Sequence, residues 1–337
     1  MIDLTTIDPE RLGQTQKAIR EEIITRGWKA SIPYVGSAHC FITRADGKEL
    51  HIFSATPPTT TFAAANLAND KFATYQLLKD ANVSQLPTIM VGSNDSLDEA
   101  EAFMHEQGVV VVKPVDGGHG KGITVNITTR EQLEEAFIVG LKGTKNVTAV
   151  IVQKHYPHPA MYDLRIVTID HKYAAGIQRV AARVFGDGQH TVGELIDIEN
   201  RKENRGKAYK AQLATIDVDR AKLYLNERIW EIPADNEEVT VLGVANYGAG
   251  GETVDVTDDL PDWLIEEAER ISRATGLFVA GVDFMLAKQP EKHMTREELD
   301  PAITEVNKCP LLTMHDTPTS GKNRHVTERY MDYLASL

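Results

Sequence analysis

Hydrophobic and polar residues follow strand and helix periods along this chain, and the clearest pattern lies in residues 109–127. Four consecutive valines at its start are typical of a short strand that is buried on both faces. After a glycine-rich loop at residues 116–122, the apolar residues Ile123 and Val125 alternate with polar neighbours up to Ile127. The pattern predicts two adjacent strands joined by the loop.

The same two periods predict elements in the rest of the chain. SLDE at residues 96–99 and TREQ at residues 129–132 have the capping-box form, and each precedes a helical apolar pattern. Asp8 followed by Pro9 predicts the start of an N-terminal helix that ends at Gly27. The other predicted elements are helices over 69–80, 192–200 and about 261–276, and strands near 30–35, 38–43, 50–54, 147–152, 164–169, 172–177, 279–286 and 302–306.

The loop at residues 116–122 has the sequence DGGHGKG, and its composition indicates chemistry as well as a turn. Glycines weaken a packed element by ~0.5–1 kcal/mol each, a cost that makes sense where bare backbone amides approach an anion. Lys113 and Lys121 add positive charge at the two edges. The loop matches neither the Walker A nor the G-x-G-x-x-G pattern. A nucleotide triphosphate is the leading hypothesis for its ligand, and an ordinary hairpin turn is the alternative.

Composition limits the classes of partner. The chain has 337 residues and a formal net charge of −13, which argues against a nucleic-acid or anionic-membrane partner, although local basic pockets stay open. Its two cysteines, Cys40 and Cys309, are too few for a disulfide framework or a CxxC metal site, and they fit a reducing cytoplasm. No apolar run reaches the ~18–20 residues of a membrane span, and no signal-peptide pattern is found. The sequence therefore predicts a cytoplasmic protein without nucleic-acid or membrane partners.

Oxygen-bearing side chains lie on two strands that are predicted near the C-terminal end. Asp283 falls on the first of these strands, while Glu305 and Asn307 are two residues apart and share one face of the second. Acidic residues in an apolar context are rarely buried unless they are paired or bind a metal. Three such oxygens suit a hard cation such as Mg²⁺, which takes its other ligands from water and phosphate. A solvated sheet edge is the alternative.

Charged residues also mark one face of the predicted hairpin over residues 164–177. Asp163 and Arg165 lie one strand period apart and therefore project from one face, and Arg179 and Arg183 are predicted to continue along the second strand. Converging arginines can grip a phosphate or carboxylate bidentately, whereas a lone charged face is usually just solvated. Before the hairpin, the QKHY tetrapeptide combines amide, aromatic and backbone groups that could hold a purine, although an interdomain linker would look the same.

Taken in this order, the segments resemble the ATP-grasp superfamily, in particular the ATP-grasp portion of cyanophycin synthetases and bifunctional glutathione synthetases. The resemblance runs from about residue 69 to residue 326. It implies an α+β ATP-grasp fold in which two α/β subdomains, residues 67–150 and 151–337, clasp ATP after a small α/β pre-ATP-grasp domain at residues 1–66. The motifs that carry the resemblance are DKFATYQLLKDANVSQLP, VVVVKPVDGGHGKGI, DLRIV, RVAARVFGDGQHTVGELID, ANYGAGG, AGVDF, ITEVN and MHDTPTSGKNRHV.

The resemblance also implies roles for individual residues, each carried over by position. The residues implied for ATP are Lys71 and Lys113 at the phosphates, Gly117, Gly118, His119, Gly120 and Gly122 in a flap above them, Gln153, Lys154, His155 and Tyr156 around adenine, and Asp163 at the ribose. The implied magnesium ligands are Asp283, Glu305 and Asn307. The implied catalytic residues are Arg165, Arg179 and Asn246, and the implied substrate residues are Arg183, His315, Ser320, Gly321 and Arg324.

The activity that the resemblance implies is that of an ATP-dependent carboxylate–amine ligase. ATP would convert a carboxylate of an amino acid or short peptide into an acyl phosphate, and an amine would then attack it to form an amide or peptide bond, with release of ADP and phosphate. ATP and Mg²⁺, or Mn²⁺ in its place, are the implied cofactors, and a homodimer is the implied assembly. The alternatives are an ATP-grasp kinase or ligase with a non-amine acceptor, and a catalytically lapsed ATP-binding regulatory or partner subunit.

Departures from the family pattern concern mainly the acceptor side. Gln153 stands where the family commonly has an acidic residue, a longer connection follows at residues 155–161, and KCPL at residues 308–311 replaces a small turn that contains glycine. ANYGAGG at residues 245–251 lacks the hydroxyl residues usual in that loop. The resemblance does not reach the further domains of cyanophycin synthetases or the glutamate–cysteine ligase half of the bifunctional enzymes. Polymer synthesis is therefore not expected from this chain alone, and the acceptor pocket is expected to be altered.

Overall fold

The structure is a computed structural model that describes residues 1–81, 83–117, 121–146, 148–158, 162–208, 210–243, 245 and 247–337. Within these residues the strands are β1 (Ile2–Asp3), β2 (Lys29–Ile32), β3 (His39–Thr43), β4 (Glu49–Phe53), β5 (Thr88–Gly92), β6 (Val110–Pro114), β7 (Thr124–Ile127), β8 (Ala149–Lys154), β9 (Tyr162–Ile169), β10 (Lys172–Val180), β11 (Arg183–Phe185), β12 (Arg205–Gly206), β13 (Leu213–Ala214), β14 (Glu238–Thr240), β15 (Glu252–Asp255), β16 (Val279–Leu286) and β17 (Ala302–Asn307). The α-helices there are α1 (Gln14–Thr25), α2 (Phe62–Leu67), α3 (Lys71–Asp80), α4 (Asp98–Gln107), α5 (Arg130–Lys142), α6 (Val192–Asn200), α7 (Val218–Leu225), α8 (Asp262–Thr275), α9 (Arg296–Leu299), α10 (Thr313–Asp316) and α11 (Val326–Ser336). Short 3₁₀ helices span Leu4–Thr6, Pro9–Arg11, Asn226–Trp230 and Tyr247–Ala249.

Strands β1 to β4 form an antiparallel sheet in that order, here called the N-terminal sheet. Alternate residues on its strands, such as Ile32, Ile42 and Ile52, are buried and pack with α1 into one core. The C-terminal helix α11 adds Tyr330 and Leu334 to the same core. The first and last helices of the chain are therefore packed together.

The N-terminal helix begins later than the sequence predicts. Asp8 Oδ1 accepts a hydrogen bond from the Glu10 N–H at 3.0 Å, but it opens only the 3₁₀ turn Pro9–Arg11. Leu12 is then buried, and Gly13 has an extended conformation as the N-cap of α1. The prediction of one continuous helix from Asp8 is wrong, because the extended backbone that places Leu12 in the core separates the two elements.

A second antiparallel sheet, called the second sheet below, has the strand order β5-β8-β6-β7. Strands β6 and β7 are neighbours, with Val110 opposite Ile127, so the strand–loop–strand prediction is confirmed. Met104 of α4 and Leu133 of α5 are buried against this sheet. Strand β8 crosses the subdomain boundary predicted after residue 150, and the predicted domain boundaries stay predictions.

One of the two predicted capping boxes is present. At the start of α5, the Thr129 hydroxyl accepts from the Gln132 N–H, and the Gln132 side chain accepts from the Thr129 N–H. The box predicted at residues 96–99 is wrong. Ser96 Oγ accepts from the Asp98 N–H at 3.2 Å, and this two-residue turn replaces the cap, because short hydroxyl side chains bond readily to nearby backbone.

The largest of the described sheets, called the central sheet below, is antiparallel with the order β15-β10-β9-β16-β17. The predicted hairpin around Asp170 and His171 is confirmed as β9 and β10 at its centre. On one face, Leu164, Ile166 and Phe284 are fully buried in a core shared with α8. The opposite face carries charged residues in its central rows.

Between β10 and β15 the chain forms a separate small lobe. The lobe contains α6, α7 and the short strand pairs β11–β14 and β12–β13. Its buried residues, among them Val184, Leu195, Leu225 and Val239, form their own core. The apolar pattern predicts α6 but not the lobe, because strands of two or three residues are too short to show a period. Across the described residues, no helix has the length and apolar character that crossing a bilayer requires.

Candidate active site

The charged face of the central sheet is organised by the register of its strands. Asp163 lies opposite Arg179, Arg165 lies opposite Asp283, and Asp283 in turn lies opposite Glu305. Residues opposite each other in antiparallel strands project from the same face. Because Asp163 and Arg165 are also two residues apart on β9, all five side chains share one face.

Asp283 lies at the centre of this face and is gripped by two arginines. Arg165 donates from Nε and Nη2 to the two carboxylate oxygens of Asp283, each at 2.7 Å. Arg179 Nη2 lies 3.1 Å from Asp283 Oδ2 and 2.7 Å from Asp163 Oδ1. Burial raises the pKa of Asp283, but the two guanidinium groups outweigh burial and hold that pKa below its usual range. For Asp163 burial wins over Arg179, and its pKa is raised.

Two lysines approach the same region from the second sheet and from α3. Lys71 Nζ donates to the Gly117 carbonyl at 2.6 Å and lies 3.7 Å from Glu305 Oε1. Lys113 Nζ donates to Gln153 Oε1 at 2.8 Å. Burial lowers the pKa of Lys113 to about 8, while the Glu305 carboxylate raises it and the Lys71 ammonium lowers it further. Two ammonium groups thus share one nearby carboxylate, an arrangement suited to an anionic ligand.

Gln153 is buried, and hydrogen bonds fix both ends of its amide. Its Oε1 accepts from Lys113, and its Nε2 donates to Thr88 Oγ1 at 2.9 Å. Thr88 Oγ1 donates in turn to the Leu86 carbonyl at 2.9 Å. A neutral amide bonds the Lys113 ammonium without compensating its charge, so burial dominates the pKa of this lysine.

Residues 154–156 lie at the end of β8, and their hydrogen bonds link the second sheet to the residues just before β17. The His155 N–H donates to the Val109 carbonyl at 2.8 Å, and the Tyr156 hydroxyl donates to the Asp300 carbonyl at 2.7 Å. Tyr156 is buried, and burial raises the pKa of its phenol. The segment predicted to surround adenine therefore lies at a junction between two sheets, where most of its own polar groups already have partners.

The described glycines of the loop are required by close packing. A Cβ on Gly117 would lie 2.8 Å from Pro114 Cβ, and a Cβ on Gly122, at φ +75°, would lie 3.2 Å from Gly143 Cα. The Asp116 carboxylate accepts from two backbone N–H groups just after α5, at 2.8 and 2.6 Å. Both ends of the loop are thus fixed to the end of α5, a constraint that the sequence reasoning missed. Four predicted site residues, Gly118, His119, Gly120 and Asn246, lie outside the described residues.

The predicted magnesium ligands are close together but are not a ready-made metal cage. Asp283 and Glu305 lie opposite each other on β16 and β17, and Asn307 Nδ2 lies 3.3 Å from Asp283 Oδ2. Among the residues that the structure describes, no group of three or more His, Cys, Asp or Glu side chains could hold a metal ion. A cation at this position would need further ligands such as water and phosphate oxygens.

Known proteins share this sequence and arrangement. The family model for the ATP-grasp domain of prokaryotic glutathione synthetase matches residues 77–195. The cyanophycin synthetase of Crocosphaera subtropica is 32% identical over 322 residues, which cover 93% of this chain and 36% of that protein. The glutathione biosynthesis bifunctional protein GshAB of Listeria welshimeri is 27% identical over 341 residues, 97% of this chain and 42% of that protein. Residues 77–195 therefore belong to an ATP-grasp domain.

Solved structures confirm the α+β ATP-grasp fold. A bifunctional glutathione synthetase from Pasteurella multocida superposes with a TM-score of 0.69 at 23% identity, over 98% of this chain and 44% of that one. A D-alanine–D-alanine ligase from Bacillus anthracis superposes with a TM-score of 0.50 at 14% identity, over 82% of this chain and 71% of that one. At these identities the likeness concerns the fold alone. The chain spans 36% to 42% of the length of the two curated relatives reported above.

Of the predicted substrate residues of this ATP-grasp chain, Arg183 lies in the small lobe. The prediction that it continues the strand of Arg179 is wrong, because the chain leaves the central sheet after Val180 and begins β11 at Arg183. Its guanidinium pairs with Glu238 at 2.8 Å and with Glu252 at 3.0 Å. The structure therefore brings together two of the three arginines that the sequence places on one strand face.

Arg324, Ser320 and Gly321 fasten the segment before α11 to the edge strand β15. Arg324 Nη2 lies 2.6 Å from Asp255 Oδ2 and 2.7 Å from Asp258 Oδ2. Ser320 forms a backbone bridge with β15, and a Cβ on Gly321, at φ +104°, would lie 2.5 Å from Asp255 Cβ. The guanidinium of Arg324 is thus surrounded by carboxylates of its own chain.

His315 in α10 is fully buried. Among the described residues, neither of its ring nitrogens has a hydrogen-bond partner. Burial lowers the pKa of His315 to about 3, Arg165 lowers it further and Asp255 opposes this, so the imidazole is neutral. An unpartnered buried polar group costs about 1–3 kcal/mol, so this imidazole needs an explanation beyond core packing.

Proposed function

We propose that this chain is an ATP-dependent carboxylate–amine ligase that acts on an amino acid or short peptide and releases ADP and phosphate. The observation that carries the proposal is the convergence of Lys71, Lys113, Arg165 and Arg179 where the second and central sheets meet. ATP-grasp ligases use ATP, and relatives of this chain include a cyanophycin synthetase and a glutathione biosynthesis protein.

The cationic side chains suit a reaction in which charge on phosphate must be neutralised. A carboxylate is a poor electrophile, so the γ-phosphoryl group of ATP is first transferred to it, which gives an acyl phosphate and ADP. Lys71 and Lys113 meet the charge of the phosphates during this transfer. Arg165 and Arg179 are paired with Asp283 and Asp163, so they fix the carboxylates of this face and add positive charge beside the phosphates. Attack by an amine then forms the amide, and no covalent nucleophile of the protein is required.

Asp283, Glu305 and Asn307 would hold Mg²⁺, with Mn²⁺ as the alternative. The fit rests on the chemistry of the donors, because all three side chains offer oxygen atoms on adjacent strands. Asp283 Oδ2 already has N–H groups of Arg165, Arg179 and Asn307 around it, but among the described residues Oδ1 accepts only from Arg165 Nε, so its second lone pair can face a cation. When bound, the cation supplies additional charge neutralisation at the phosphates.

The ligase proposal is tested by a screen for ADP release. Pairs of amino acids or dipeptides, one offered as acid and one as amine, are incubated with ATP and Mg²⁺. ADP is expected only when both members of a pair are present, and the Glu305→Gln variant is expected to lose this release. Glu297→Gln serves as the matched control, because Glu297 is an exposed residue of α9.

Other outcomes of the screen would assign a different activity. AMP as the product would reject the ligase scheme. ADP release that is indifferent to any amine would indicate a kinase or a ligase with another acceptor. If wild-type chain released no ADP and Glu305→Gln left its biological activity untouched, the regulatory alternative would replace the proposal. A homodimer and a cytoplasmic location stay predictions.

A further inference from the structure

The side chain of Gln14 links three segments that are distant in sequence. Gln14 is the first residue of α1, and the N-cap before it is Gly13, which makes no side-chain hydrogen bond to the helix. Its Nε2 donates to the Tyr247 hydroxyl at 2.9 Å and to the carbonyl of Ala211. Its Oε1 accepts from Thr313 Oγ1 at 3.4 Å. One amide of the N-terminal helix therefore contacts the small lobe, a 3₁₀ turn and the start of α10.

Tyr247 opens the segment at residues 247–251, which is called the acceptor loop below. The Tyr247 hydroxyl donates to the carbonyl of Gln212 as well as accepting from Gln14. Its ring is buried in a small core with Ile177 and Met314. The phenol is thus the anchor at the start of the acceptor loop, and Gln14 reaches that anchor from outside the central sheet.

The other end of the acceptor loop leads directly to the charged face. Arg205 Nη1 donates to the Gly250 carbonyl at 3.0 Å, and the side chain of Arg205 is fully buried. Two residues after the loop, Thr253 lies opposite Arg179 in the register of β10 and β15. Since opposite residues share a face, a shift of the loop would displace the strand beside Arg179.

We propose that Gln14 is a positioning residue that holds the acceptor loop in place beside the arginine–carboxylate cluster of Arg165, Arg179, Asp163 and Asp283, and thereby sets the rate of turnover. The second half of this statement rests on the proposed ligase function. The N-terminal sheet and α1 contain none of the lysines and arginines of the candidate site, so this link gives the first part of the chain a role in the reaction. ATP contacts are not involved, because the lysines lie on α3 and β6.

The chain offers a matched control on the same helix. Gln16 is also partly buried, and its Nε2 donates to the Ser37 carbonyl at 2.6 Å, within the N-terminal part of the chain. Gln14→Leu and Gln16→Leu each remove one side-chain amide from α1 and keep a similar volume. If the amide served only to attach α1, the two variants would behave alike.

Hydrogen exchange measures the positioning role without reference to activity. In Gln14→Leu the amides of residues 210–213 and 247–251 are expected to exchange about tenfold faster, because loss of a buried hydrogen bond is worth about 1.4 kcal/mol or more. Gln16→Leu is expected to leave these amides unchanged. Tyr247→Phe keeps the ring in its core and should reproduce the Gln14→Leu result. The effect of the double variant should be smaller than the sum of the two single effects, since both variants remove the Gln14–Tyr247 bond although each also removes a bond of its own.

Kinetics then connect the loop to the reaction. Gln14→Leu is expected to lower the kcat of ADP release about tenfold and to leave the KM for ATP within about twofold. Equal exchange at 247–251 in the wild type, Gln14→Leu and Tyr247→Phe would overturn the positioning role. Faster exchange with an unchanged kcat would overturn the link to turnover. Absence of any amine-dependent ADP release in the wild type would overturn the ligase function and with it the kinetic prediction for Gln14→Leu. The hydrogen-exchange result would still decide whether Gln14 holds residues 247–251 in place.

Discussion

Basic side chains meet carboxylates in two regions of this chain, and the balance of charge differs between them. Lys71 of α3 and Lys113 of β6 share the nearby Glu305 carboxylate, and the hydrogen-bond partner of Lys113 is the neutral Gln153. At the edge strand β15, the single guanidinium of Arg324 pairs with two carboxylates.

The difference shows which basic residues are suited to a ligand. The two carboxylates saturate Arg324, and its hydrogen bonds hold the pKa of Asp258 well below the usual range. In contrast, the pKa of Lys113 is lowered because burial is not compensated by a carboxylate in contact. A triphosphate would supply the missing negative charge at Lys113, whereas Arg324 has no comparable need. The family resemblance implies ligand contacts for both residues, and the charge balance around them favours Lys113 over Arg324 for such a contact.

The largest expected effect is on activity, in the variant Lys113→Met. We expect ADP release to fall by about 10²–10³-fold, because one preorganised charge facing the phosphates is lost. The free energy of unfolding should not fall, since the substitution removes a buried charge without a carboxylate in contact. Steady-state ADP release and urea unfolding measure the two quantities. Lys142→Met, at an exposed lysine of α5, is the control, and normal ATP kinetics in Lys113→Met would break the assignment to the phosphates.

The opposite pattern is expected for Arg324→Met. Its loss leaves the Asp255 carboxylate, which is 4% exposed, without its guanidinium partner, and breaking such a buried pair costs about 3–5 kcal/mol. Urea unfolding measures this loss. Lys322→Met is the control, because Lys322 is 73% exposed, and its pair with Asp258 is worth less than ~1 kcal/mol. If Arg324→Met kept its stability and lost acid-dependent ADP release, Arg324 would be assigned to the substrate site.

Local patterns predict much of this fold because they depend on a few neighbouring residues. The valine run, the loop and the alternating strand after it identify β6 and β7, and the two-residue spacing of Asp163 and Arg165 places both on one face. Sequence spacing also pairs Glu305 with Asn307. It does not show that Glu305 lies opposite Asp283, because that register depends on how two strands align in the folded sheet.

The features that sequence missed all depend on distant contacts. Arg183 follows Arg179 closely in sequence, yet the chain leaves the sheet between them, and no local period signals that exit. Asp255 and Arg324 are 69 residues apart, and their pairing is visible only in the fold. Gln14 was part of an ordinary helical pattern, although its amide reaches Tyr247 across 233 residues.

A smaller effect is expected from pH, through Lys113. Its pKa is about 8 in the folded chain and 10.5 as the ordinary value, so between these pH values the unfolded chain binds more protons and this contribution to stability rises with pH. Phosphate binding needs the ammonium form. The Kd for ATP should therefore rise as pH increases through about 8, by up to about tenfold per pH unit. Calorimetric titration with ATP from pH 7 to 9.5 measures this.

Two variants test whether Lys113 is the titrating group. Lys113→Met should bind ATP weakly and with little dependence on pH in this range. Gln153→Glu should move the rise in Kd to higher pH, because a carboxylate in place of the Oε1 atom 2.8 Å from Nζ raises the pKa of the lysine. An unchanged midpoint in Gln153→Glu would show that another group governs the pH dependence.

The smallest effect is expected for Arg183→Ala. Arg183 is 25% exposed and pairs with the 47% exposed Glu238 and the 16% exposed Glu252, and partly solvated pairs of this kind are worth about 1 kcal/mol or less each. Urea unfolding should show a loss of that size, and ADP release should stay within about twofold, because the guanidinium lies outside the arginine–carboxylate cluster. Arg179→Ala is the matched comparison, since Arg179 lies on the preceding strand, β10, and contacts Asp163 and Asp283. A raised KM for the acid in Arg183→Ala would extend the substrate site into the small lobe. Pairing of an arginine with carboxylates of its own chain would then no longer show that the arginine is structural and does not bind substrate.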